Sequence, residues 1–116
     1  MAKYTKTLTV DGDTAICMVE RRRGDMNAWQ ASVFVYGGGG NNFGSGTVAL
    51  KASPDGGTTK IAMKDFTGTA ITGTAAYTFN TQPMGNPSHL SDNITIYASL
   101  SGSSSPTIIV DLFDNR

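Results

Sequence analysis

Apolar and polar residues alternate along this chain with a period of two in three places. In Thr47–Ser53, "TVALKAS", Val48, Leu50 and Ala52 share one face and Thr47, Ala49, Lys51 and Ser53 the other. In "NITIYASL", Asn93–Leu100, the apolar phase is Ile94, Ile96, Ala98 and Leu100, against Thr95, Tyr97 and Ser99. In "TIIVDLF", Thr107–Phe113, Ile108, Val110 and Leu112 oppose Asp111 and Phe113. Each reads as a half-buried strand. Weaker versions of the pattern predict strands over Tyr4–Val10, Ala15–Glu20, Trp29–Tyr36, Thr59–Met63 and Ala76–Asn80, about eight short strands in all. No segment carries helical spacing, so the chain is expected to form a single all-β domain over residues 1–116, an antiparallel β-sandwich of jelly-roll-like or Ig-like type.

The punctuation between strands agrees. Asp11-Gly12-Asp13 suits a tight hairpin between the first two strands, because Asp and Gly tolerate the positive φ of primed turns. "SLSGSSSPT" connects the last two strands. "GGGGNNFGSG", Gly37–Gly46, and the proline-bearing "TQPMGNPSHLSD" are expected to be long loops, the first without side chains to order it apart from Phe43.

The densest turn is Ser53-Pro54-Asp55-Gly56-Gly57-Thr58. Pro54 presets φ, Asp55 can accept from nearby amides, and the two glycines can take the positive φ that reverses the chain, so the stretch is expected to be a structural turn joining "TVALKAS" to "TKIAM". The spacing S-x-D-x-G-x-T also resembles the Asp-box of sialidases. That element lies away from the chemistry in those enzymes and recurs around a propeller, whereas this chain has one copy.

Composition narrows the function. Nine basic and nine acidic residues give a formal net charge of zero, which provides no field to attract nucleic acid or an anionic membrane. Cys17 is the sole cysteine, so the fold must rest on its apolar core, and no run approaches the ~20 apolar residues of a helical membrane span. His89 is the sole histidine and no second His accompanies it in a metal shell, no G-x-S-x-G elbow occurs, and Asp11-x-Asp13 fails as a calcium loop because Ala15 and Ile16 stand where an oxygen ligand and a glycine are needed. No enzyme chemistry, metal or cofactor is therefore expected. "ERRRGD", Glu20–Asp25, concentrates charge: Arg21, Arg22 and Arg23 are candidates to meet an acidic partner, with a solvated strand end paired to Glu20 and Asp25 as the competing reading.

Two longer stretches bear on function. "SGTVALKASPDGGTTKIAM", Ser45–Met63, followed by "IYASLSGSSSPTIIVDLF", Ile96–Phe113, resembles the small β-sandwich virion proteins of tailed bacteriophages, in which a G-T-V-x-L-x-x-S-P-D-G-G-T-T-W hairpin precedes a strand, an L-S-G turn and a final strand. Lys60 stands where that pattern has Trp. The resemblance covers about the C-terminal two-thirds of the chain. It implies a structural protein of the particle, made in the host cytoplasm and carried on the virion: a capsid decoration or cement protein that binds across neighbouring major capsid subunits in multiple copies or as a homo-oligomer. The alternative it leaves open is a tail or head-to-tail accessory protein with a carbohydrate- or receptor-binding sandwich. Trp29, Tyr36, Phe43 and Tyr97 are the candidate aromatic anchors for such a partner. For Trp29 the core is the stronger competing place, while Phe43, amid glycines, has few evident ways to be buried in its own domain.

Overall fold

The computed structural model describes residues 2–19, 29–38, 42–83 and 94–115. They form nine strands and two antiparallel sheets packed face to face: β1 Lys3–Leu8, β2 Gly12–Val19, β3 Ala31–Gly37, β4 Thr47–Ser53, β5 Ile61–Ala62, β6 Thr72–Gly73, β7 Tyr77–Asn80, β8 Ile94–Ser101 and β9 Ile108–Asp114. One sheet has the order β1-β9-β3-β7; the other runs β2-β8-β4-β5, with β6 also pairing β4. With the two-residue β6 set aside, the first strand pairs the last in one sheet and the second pairs the next to last in the other. That wrapped order is the jelly roll, and it separates β1 from β2, which an Ig-like sandwich keeps in one sheet.

The three strands of clearest period are central or next to central, and their apolar phase is the core. Val48 and Leu50 of β4, Ile94, Ile96, Ala98 and Leu100 of β8, and Ile108, Val110 and Leu112 of β9 are all buried in one cluster with Val33 and Val35 of β3. β2 departs from strict alternation. Its register with β8 slips between Ala15 and Cys17, a bulge that lets Ile16 and Cys17 turn inward in succession. Burial, and then the charge of Asp114, push the Cys17 thiol up to about 12, so it is a packing group and not a nucleophile.

The turn chemistry places chain reversals correctly, but not always the sheets they join. Ser53–Thr58 is a hairpin turn as expected: β4 and β5 pair through Lys51–Ala62 and Ala52–Ile61. Buried Ser53 donates its hydroxyl to Asp55 at 2.9 Å and accepts from the Gly57 amide at 2.8 Å, while Asp55 accepts from the Thr59 amide at 2.8 Å. Gly56 and Gly57 hold φ of 77° and 107°, and a Cβ on Gly57 would stand 2.7 Å from the Tyr97 hydroxyl. Replacing both by Val is expected to cost about 2–5 kcal/mol, read as a lower melting temperature; an unchanged melting point would contradict this account of the turn. Asp11-Gly12-Asp13, by contrast, is not a hairpin. It carries the chain from one sheet to the other, as does the β8–β9 connection, and the two crossings are tied together because the Ser103 amide and hydroxyl both donate to the Asp11 carboxylate.

Turn carboxylates also set how the fold responds to acid. Asp11 (by Ser103), Asp13 (by Lys60, then Ser99), Asp55 (by the Thr59 amide) and Asp65 (by the Thr67 hydroxyl) are held below their ordinary value of 3.8. The unfolded chain thus takes up protons first as pH falls through that value. Stability present above it drains away toward the lower folded-state values. Melting temperature is expected to fall steeply below about pH 4, and Asp55→Asn is expected to shallow that fall; the same slope in both proteins would show that Asp55 contributes nothing to it.

Candidate functional site

The two outward faces of the sandwich differ in kind. On the outer face of β1-β9-β3-β7 the strands bring three rows into register: Lys3, Phe113, Ser32 and Asn80; Thr5, Asp111, Phe34 and Thr78; and Thr7, Ile109 and Tyr36. The alternation that sends Val33 and Val35 inward necessarily sends Phe34 and Tyr36 outward, where 43% and 37% of their surfaces stay exposed. Phe113 meets Phe34 edge to face, centroids 5.8 Å apart at 88°, and the Lys3 ammonium lies 5.5 Å from the Phe113 ring centre. Such pairs hold the rings in place without covering them.

Asp111 sits at the middle of this face and is itself nearly covered, at 8% exposure. Its two oxygens accept from the Thr5 hydroxyl at 2.6 Å and the Tyr36 hydroxyl at 2.7 Å. Burial pushes its carboxyl upward, but the hydroxyls of Thr5 and Tyr36 and the charge of Lys3 together outweigh that and hold it below the ordinary carboxylate value. The hydrogen bond to Asp111 in turn raises the Tyr36 phenol, which stays a neutral donor. Asp111 thus stays ionised, with both oxygens already bonded within the sheet. What the face offers a partner is aromatic and hydroxyl surface, with Lys3 at the β1 edge.

On the opposite outer face, where Met18 of β2 is 51% exposed, the Tyr97 position is already self-paired. Lys60 donates to Asp13 at 2.6 Å and lies 4.8 Å from the centre of the Tyr97 ring. Asp13 holds the Lys60 ammonium protonated to higher pH than usual. Lys60, the residue that departs from the hairpin pattern's Trp, thus packs on Tyr97 in that position. Tyr97 is half-buried and covered by a cation of its own chain, which makes it a part of the fold before it is an anchor.

The remaining anticipated anchors fall differently. Trp29 is core, 1% exposed, with its indole N–H directed to Asp114 at 3.4 Å. Phe43, expected in an unordered glycine loop, is also core at 5% exposure. The segment around it is ordered by bonds to the β8–β9 connection, most of them backbone bonds: the Ser104 amide donates to Gly44 at 2.8 Å, the Thr107 amide to Asn42 at 2.9 Å, and the Gly46 amide closes onto Phe43 at 2.8 Å, while the Asn42 side-chain amide donates to the Ser105 carbonyl at 2.9 Å. Glycine permits that approach, since a Cβ on Gly44 would stand 2.3 Å from the Ser104 carbonyl oxygen. Arg21, Arg22, Arg23 and His89 lie outside the described residues. Of the expected anchors, only Tyr36 stands on the aromatic face. Phe34 and Phe113 join it, and the signal for them was an aromatic in the outward phase of an alternating strand. Among the described residues no three His, Cys, Asp or Glu gather where a metal ion would be held.

No family model, no curated protein and no solved structure matches the chain.

Proposed function

We propose that this chain is a non-catalytic structural protein that docks the outer face of its β1-β9-β3-β7 sheet on another protein surface. The observation that carries this reading is the composition of that face: Phe34 and Tyr36 lie exposed beside the half-buried Phe113, around a carboxylate whose oxygens are already bonded within the sheet. Aromatic enrichment with depletion of uncommitted charge is the signature of the buried centre of a protein interface. Rings already fixed by neighbours lose little conformational entropy on docking.

The partner we propose is an assembled tailed-phage capsid, on the resemblance of Ser45–Met63 and Ile96–Phe113 to phage virion proteins. In that role the chain is a decoration or cement protein, present in many copies and seated across neighbouring major capsid subunits. It acts by mass action, because a protein that binds the closed lattice and not the separated subunits stabilises the lattice by the free energy of binding. Shells assembled without the chain are expected to rupture at lower temperature or in milder denaturant, and adding it back is expected to restore resistance up to a saturating number of copies. Shells equally robust with and without it, in a phage that fails to adsorb to its host, would replace this reading with the tail or receptor-binding one.

A further inference from the structure

Phe66 stands on the turn after β5 with 59% of its surface in water, yet that turn is tightly made. One oxygen of Asp65 accepts from the Thr67 amide at 2.9 Å, the Thr67 hydroxyl at 2.6 Å and the Thr69 amide at 3.1 Å, and Asp65 also bridges Thr81 just past β7. A ring left exposed on so firmly bonded a turn gives the fold little burial. Its place in the sheet suggests another use. Phe113, Ser32 and Asn80 lie abreast across β9, β3 and β7, and the Asp65–Thr81 bridge continues the sheet by one position. Phe66 is thus about three strand spacings, roughly 14 Å, from Phe113. Both rings line one shallow cleft of about 310 Å³, together with Gln30, Ser32, Asn80 and Asn115. That volume is at the small end of the range for ligand sites.

Apart from Asp114, the polar side chains of this cleft are neutral, and several are held by hydrogen bonds. Ser32 donates its hydroxyl to the Asn80 side-chain oxygen at 2.6 Å, which leaves the Asn80 N–H groups, unpartnered among the described residues, as donors. Gln30 donates its amide to the Thr81 carbonyl at 3.3 Å, so its oxygen remains an acceptor. Asp114, the one charged residue of the lining, is buried and accepts from the Ala2 amide and the Trp29 indole. The lining holds neither Lys nor Arg, and Lys3 lies over Phe113, about three strand spacings from Phe66, so a phosphate or an acidic peptide on the Phe66 side would find no counter-charge in the lining. A purely apolar ligand would leave the amides unpaired at a cost. A sugar answers both demands, because its C–H faces stack on aromatic rings while its hydroxyls both donate and accept.

We propose that this cleft binds a neutral disaccharide, stacked on Phe66 and hydrogen-bonded by the neighbouring Asn80 and Gln30. The site goes beyond the docking reading and lies at one end of the same sheet, away from Tyr36. Its test is an NMR titration of the isotope-labelled full chain with maltose, cellobiose, lactose and diacetylchitobiose, following the side-chain amide signals of Asn80 and Gln30. At least one disaccharide is expected to shift both signals saturably, and Phe66→Ala is expected to weaken that binding about ten-fold or more while the rest of the spectrum stays folded. The idea is overturned if none of the four moves these signals, if Phe66→Ala binds as the parent does, or if only an added proline-rich peptide produces the shifts. Phe66→Ala is expected to rebind shells normally, so the saccharide site and the docking face fail independently.

Discussion

Phe43→Ala is expected to cost the fold about 3–5 kcal/mol, the range for truncating a buried aromatic ring. The ring is sealed into the core, and its backbone is bound to the β8–β9 connection on both sides, through Asn42 and Gly44. Those bonds would hold the loop near its place, so the structure has little freedom to collapse into the space left behind, which places the cost toward the upper end. Domains of this size are stable by only about 5–15 kcal/mol, so the variant should melt far below the parent or fail to accumulate folded. Chemical denaturation at neutral pH measures it directly. A loss under about 1 kcal/mol would mean that the ring is not packed in the core and that the glycine segment is a contact loop, as its composition alone suggests.

Phe34→Ser is expected to act in the opposite sense, sparing the fold and removing the docking. The ring is 43% exposed and packs edge to face on Phe113 without entering the core, so its loss should change stability modestly. At the centre of an interface the same ring would be a hot spot worth about 2 kcal/mol or more, roughly a thirty-fold weaker affinity. Sedimentation of the purified variant with shells that lack the protein gives the comparison. Lys60→Gln, on the opposite face, is expected to cosediment as the parent does. Equal binding by Phe34→Ser and the parent would remove the aromatic face from the account.

Much of this architecture is legible in the sequence where one physical signal dominates. The segments around β4, β8 and β9 follow from strict alternation, because both sheets bury one phase of these strands and any slip would expose it. Ser53–Thr58 is legible because φ preference, amide acceptance and hairpin geometry all agree there. The two-residue β6 is too short to show a period and was not anticipated. Asp11-Gly12-Asp13 marks a reversal, but composition cannot say which sheet receives the next strand, and that choice is made by the distant partners β9 and β8. Phe43 and Trp29 show the same limit. Aromatics are equally suited to core and interface, and what buried Phe43 was a set of backbone bonds to residues some sixty positions away, which no local pattern encodes. The aromatic face was half legible: Tyr36 stood out as an anchor, whereas Phe34 and Phe113 become informative only once registry sets them side by side.

The most direct test of the docking face is electron cryomicroscopy of particles carrying the chain, at a resolution that orients the sandwich. The expected map has Phe34, Tyr36 and Phe113 buried against neighbouring shell subunits, with Tyr97 and Lys60 turned to solvent. A map in which the Tyr97–Lys60 face meets the shell, or in which the chain sits only on the tail, would contradict it.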